Sequence, residues 1–206
     1  MNMLHHGDSR IHIVKLRISG SECFLNHAMS IALTIMNVVP FEASRAMEML
    51  TQAQAHPKAG KRETLFVIHR SVNRNCVVFK GEEATGIEAF WVMFEKDGNP
   101  TEGLSYSEKR NAFGFKCKAK GMGAWALQMN VLKDRRITVT SPRMEREISG
   151  DRWCARTRIN GVDDVELLAV HVQMQEGQAS GLLPDAVEYV ELFGAGLQYE
   201  LKRGPL

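Results

Sequence analysis

The sequence is short of most features that announce a chemistry. Its four cysteines, Cys23, Cys76, Cys117 and Cys154, lie far apart and form no Cys-x-x-Cys or Cys/His spacing. A structural zinc site is therefore not expected. The last three sit in apolar or alternating runs, where a buried free thiol is the ordinary reading. No Asn-x-Ser/Thr acceptor is usable, because Asn99-Pro100-Thr101 carries the excluded proline. Both points favour a reducing compartment. The apolar run at residues 29–39 is eleven residues long, too short to span a bilayer as a helix. There is no Gly-x-Gly-x-x-Gly and no Walker sequence, and Gly121-Met122-Gly123 is too short to imitate either. No serine lies in a Gly-x-Ser-x-Gly elbow. Neither a cofactor, a metal nor a catalytic residue is implied.

What remains is an ordinary globular composition. The chain has 206 residues, 44% hydrophobic and 24% charged, enough for one domain with a sizeable core plus an extension. Its net charge of +2 is unevenly spread: residues 62–158 carry 18 basic and 12 acidic side chains, and residues 159–206 carry 2 and 8. Mutual neutralisation within the fold is favoured over an interaction tail, because no run of like charges is long enough to mark one.

Residues 1–61 differ from the rest. They open with scattered histidines and basic residues and, through Pro40, only Asp8 and Glu22 as acids. A mitochondrial transit segment would be basic and acid-poor in this way, but also richer in Ser and Arg. A translational start at Met29 or Met36 is another reading. His5-His6 is too short for a metal site. Residues 41–53 read as a helix, with Ala43, Ala46, Met47 and Leu50 at helical spacing and strong helix formers throughout. A breaker at residues 56–61 follows. The expected division is an extension over 1–61 and a β domain over 62–206, in the cytoplasm, with a mitochondrial alternative.

From Arg62 the pattern is short strands punctuated by turns. Strands are expected at residues 65–69, 76–80, 87–96, 113–120, 125–132, 136–140, 153–159, 165–175, 186–193 and 197–201, with a loop through Leu183-Pro184. The run 87–96 is apolar enough for a central strand covered on both faces. Residues 104–110 begin with a Ser-x-x-Glu signature and suit a single helical turn. About nine or ten strands at roughly ten-residue spacing indicate a mainly β fold, an antiparallel barrel or sandwich with an N-terminal helix. Lipocalin-like barrels are among the candidates.

The densest polar cluster is the connection between the first two strands, where Arg70, Asn73, Arg74 and Asn75 crowd together. Asn suits turn backbone, and Arg offers a planar fork of donors for carboxylate or phosphate. The bland alternatives are solvated arginines, or a structural pair of Arg70 with Glu88 or Glu108. His69 and His171 each have apolar strand neighbours and read as satisfied histidines rather than bases. The basic residues Lys116, Lys118, Lys120, Arg135, Arg136, Arg143, Arg146, Arg152, Arg156 and Arg158 offer a basic face. Interleaved acids (Asp134, Glu145, Glu147, Asp151) and the lack of accompanying aromatics disfavour nucleic acid.

The order Phe66-x-x-x-Arg70-Ser71-x-Asn73-x-Asn75-x-Val77-x-Phe79 resembles the start of a bacterial and protist family called domain of unknown function 4833. Phe90-Trp91, the stretch Leu104 to Arg110 and Phe113-Gly114-Phe115 continue the resemblance, with Lys109 inserted where the family often has Arg directly after Glu. It extends over residues 64–202 and implies an uncharacterised β-rich domain without a known activity. It also groups Arg70, Asn73, Asn75, Trp91, Tyr106, Glu108 and Arg110 as a candidate pocket with Arg donors, a carboxylate and an aromatic wall. The expected function is non-enzymatic binding of a small polar or anionic ligand near Arg70. The alternative is a protein- or RNA-interacting scaffold in which the Arg/Asn cluster is structural. Composition leaves the oligomeric state open.

Overall fold

The computed structural model describes residues 41–83, 86–142, 151–175 and 187–203. The expectations for residues 1–40, for the loop through Leu183-Pro184, and for Arg143, Glu145, Arg146 and Glu147 lie outside the described residues.

Helix α1, Phe41–Ala55, buries Ala46, Met49, Leu50 and Ala53. That is the i, i+3, i+4, i+7 stripe of an amphipathic helix. It ends before His56-Pro57, since proline disfavours helical backbone in the residue preceding it. Eleven strands follow: β1 Thr64–Arg70, β2 Cys76–Glu82, β3 Gly86–Val92, β4 Thr101–Gly103, β5 Phe115–Gly121, β6 Ala124–Met129, β7 Ile137–Thr140, β8 Cys154–Ile159, β9 Val162–Met174, β10 Val187–Gly194 and β11 Gln198–Arg203. Helix α2, Tyr106–Asn111, lies between β4 and β5. Among the described residues the fold is mainly β, a curled half-barrel preceded by helix α1, in the order β4-β3-β2-β1-β9-β8-β7-β6-β5, with β10 and β11 added beside β9.

The organising strand is β9. Residues 162–166 pair with β8, residues 167–174 with β10, and residues 169–172 also, in parallel, with β1. The β1–β9 contact is the parallel pair in a sheet otherwise antiparallel among the described residues. The β8–β9 turn is Asn160-Gly161, with φ of 50° and 79°, the two left-handed residues that a tight hairpin requires.

Side-chain alternation separates two cores. Phe66, Ile68, Val77, Phe79 and Trp91 fill the hollow of the curl with Leu127, Ile137, Leu167 and Leu192. Val67, Val78, Phe90, Val92, Ala169 and Phe193 point the other way and meet α1. The run expected at residues 87–96 is thus covered on both faces, but it is not central. It stops at Val92 as β3, and beyond it among the described residues lies only the three-residue β4. The chain turns back through residues 93–100, closed by the Met93 N–H on the Pro100 carbonyl. The hollow is packed with side chains, so the candidate site sits at its rim.

Candidate functional site

The β1–β2 connection is fixed by many local bonds. The Ser71 N–H donates to the Val172 carbonyl, and the Met174 N–H donates to the Ser71 hydroxyl. The Asn73 side-chain oxygen accepts the Asn75 N–H at 3.1 Å, an Asx turn. Asn75 is clasped by Glu95, whose N–H donates to Asn75 Oδ1 at 3.1 Å and whose carboxylate accepts from Asn75 Nδ2. The same carboxylate accepts the Arg74 N–H. Asn73 and Asn75 therefore shape the loop before they offer anything to a ligand.

A second anchor comes from behind. His69 and His171, opposite each other in the parallel pair, are both fully buried, with their Nδ1 atoms 3.0 Å apart. His69 Nε2 lies 2.9 Å from the Asn73 carbonyl. A carbonyl only accepts, so His69 carries its proton on Nε2. Burial, then the nearby charges of His171, Arg45 and Arg70, lower its pKa to about 4, against a smaller raising effect of the Asn73 bond. The ring is neutral at pH 7, its Nδ1 accepts, and His171 must donate. Glu191 follows in the same row, opposite His171 on β10, and accepts from the Tyr199 hydroxyl at 2.7 Å. Its second oxygen is buried without a hydrogen-bond partner among the described residues.

Arg70, the next residue, points to the opposite face. Its guanidinium lies 4.9 Å from the Trp91 ring centre and 5.8 Å from that of Phe113, in cation–π range of both. Its Nε is buried with no hydrogen-bond partner among the described residues. Burial holds its pKa below the ordinary value, and Glu108 opposes that shift. Glu108 is held by α2's first turn: Ser105 caps the helix, its N–H donates to Glu108 Oε2 at 2.7 Å, and the Glu108 N–H returns to Ser105 Oγ. Glu108 Oε1 accepts from Trp91 Nε1 at 2.9 Å. One indole thus carries the arginine on its face and the carboxylate on its nitrogen.

Around them opens a depression of about 340 Å³ lined by Arg70, Asn73, Asn75, Trp91 and Glu108, together with Met93, Glu102, Gly103 and Ser105. A family model described as domain of unknown function (DUF4833) matches residues 66–201, which contain every one of these side chains. The chain belongs to this family. Searches of curated proteins and of solved structures find no match.

Five of the seven residues singled out from the sequence of this DUF4833 domain come together in the depression. Tyr106 and Arg110 do not: both are exposed on α2, Tyr106 at 77%. Neither acid expected to pair with Arg70 forms an ion pair with it among the described residues; Glu88 instead meets Lys58 and Lys80. Sequence reasoning passed over Glu95, which clasps the loop, and Phe113, which backs the arginine. Phe113 was visible in the aromatic-Gly-aromatic motif; Glu95 gave no local signal. Elsewhere, Arg135 forks onto Glu200 at 2.8 and 3.1 Å, joining the β6–β7 connection to β11. Burial pushes the Cys76 thiol up to about 12, which leaves it inert. Among the described residues no group of three or more His, Cys, Asp or Glu could hold a metal ion, and no helix is long and apolar enough to cross a membrane.

Proposed function

We propose that this domain is a non-enzymatic binding module that holds a small polar or anionic ligand against Arg70. The observation that carries the reading is that the half-buried Arg70 guanidinium lines an open depression and has no ion-pair partner among the described residues. A partly buried cation without a counter-charge is unfavourable. An incoming carboxylate or phosphate supplies that counter-charge, and the planar guanidinium suits such groups. Glu108, the carboxylate a proton-transfer role would need, is occupied by Trp91 and Ser105, which favours binding over catalysis.

The test is a thermal-shift screen of carboxylated and phosphorylated metabolites on the protein and on Arg70→Ala. At least one compound stabilises the wild type and leaves the variant unmoved. If nothing stabilises the wild type, or both respond alike, the reading is lost.

A second reading draws on β5, where Lys116, Lys118 and Lys120 are exposed at the edge of the sheet. They have no hydrogen bond or ion pair among the described residues. Retention on RNA or heparin at physiological salt, lost on replacing the three lysines by glutamine, would favour a scaffold with a basic face.

A further inference from the structure

We infer that the ligand of the Arg70 depression is a zwitterion, a small molecule whose carboxylate and ammonium lie a few ångströms apart, as in a free α-amino acid. This rests on the reading of the depression as a binding site and names what the site selects.

The charge pattern of the lining carries the inference. Arg70 is its one basic side chain, and Glu102 and Glu108 are its acids. Glu102 is neutralised from outside by Lys96. The charges left to a ligand are therefore one cation, Arg70, and one anion, Glu108. These two share the Trp91 indole yet form no ion pair with each other among the described residues. Opposite charges in a partly buried pocket ordinarily close on each other, because the attraction grows as water is excluded. Here each is held back by its own support. Arg70 lies against both Trp91 and Phe113, whose rings meet edge to face. Glu108 is pinned by Trp91 Nε1 and by the Ser105 N–H and hydroxyl.

The remaining hydrogen-bonding capacity matches. Arg70 lines the depression without an ion-pair partner among the described residues, and a ligand carboxylate supplies one. A carboxylate has about four lone-pair positions. Three donors reach Glu108, so one position remains for an ammonium N–H. A phosphate dianion would set about two negative charges against one arginine while facing Glu108, and a simple monocarboxylate would satisfy Arg70 but leave Glu108 opposed. The volume of about 340 Å³, walled by Trp91 and Met93, is at the small end of ligand pockets, in keeping with an amino acid rather than a nucleotide.

Calorimetric titration of the full-length protein tests this with four probe sets: the free amino acids, their N-acetyl derivatives, their carboxamides, and inorganic phosphate. At least one free amino acid is expected to bind. Acetylating its nitrogen or amidating its carboxylate should weaken binding at least tenfold, and phosphate should bind no better than either. Arg70→Ala abolishes binding, whereas Glu108→Gln narrows the gap between the free amino acid and its N-acetyl form. The probe comparison on the wild type needs no variant to fold. If an N-acetyl derivative or phosphate binds through Arg70 as tightly as the free amino acid, the zwitterion inference is overturned and the anion site stands. If no probe binds in an Arg70-dependent way, both fall.

Discussion

The buried histidine behind the loop makes a quantitative prediction about stability and pH. His69 has a folded-state pKa of about 4 against an ordinary 6.5. Because the folded value is the lower, the unfolded chain binds the extra proton first. The contribution of neutral His69 is complete above pH 6.5 and is lost as the pH falls from 6.5 towards 4. Fully developed, the difference amounts to about 3 kcal/mol, of which roughly 2–3 kcal/mol has gone by pH 4.5. Nearby charges sharpen the effect. Burial dominates, and His171 on β9, Arg45 on α1 and Arg70, on the opposite face of β1, all disfavour a positive charge on the ring. The Asn73 carbonyl alone works the other way.

The assay is urea unfolding, read by tryptophan fluorescence between pH 7.5 and 4.5, on the wild type and on His69→Asn. Asp134 and Glu200, whose depressed pKa values begin to drain stability near this lower limit, do so in both proteins alike and cancel in the comparison. The variant starts less stable at pH 7.5 because the His171–His69–Asn73 chain is cut. The wild type should then lose roughly 2–3 kcal/mol more than the variant on acidification. Parallel pH profiles for the two proteins would refute both the depressed pKa and the neutral tautomer deduced from the Asn73 bond.

Three further substitutions probe the site's supports. A Cβ at Gly114 would stand 1.5 Å from the Lys109 carbonyl oxygen, so Gly114→Ala must displace α2's backbone; a loss of about 2–3 kcal/mol in urea unfolding is expected. Ser105→Ala removes the cap and the hydroxyl donor to Glu108, lowering stability by about 1 kcal/mol and weakening any Arg70-dependent ligand in calorimetry. Trp91→Phe keeps a ring under Arg70 but leaves Glu108 Oε1 without its donor, for a loss of about 1–2 kcal/mol in the same unfolding assay.

Much of this was legible in the chain, for reasons that also explain what was not. Strand β5 alternates cleanly between lysines and apolar residues, and Asn160-Gly161 has the backbone freedom a tight hairpin needs, so local pattern sufficed there. Ser105 and Glu108 announce a helix start through their spacing alone. The parallel partnership of β1 and β9 has no local signature, since the hydrogen bond that seals it joins residues 102 apart. Nor did β3's apolar content reveal its place next to the sheet's end. Burial on both faces comes here from α1 on one side and the packed hollow on the other, and covering faces says nothing about neighbouring edges. Glu95 escaped notice for the same reason: it meets Asn75 from 20 residues away.

The site depends on two adjacent residues facing opposite ways. Alternation along β1 sends His69 under α1 and Arg70 towards the hollow. The loop that follows is therefore fastened on the His69 side by a buried hydrogen-bond chain, and on the other by Glu95. Arg70 itself is left out of that fastening, and its Nε is the buried donor without an acceptor. A loop that drew its order from an Arg70 ion pair would have to give up that pair to bind anything. Here the order comes from bonds that do not involve the guanidinium, so the arginine can accept a partner without undoing the structure that positions it, and little ordering entropy remains to oppose binding.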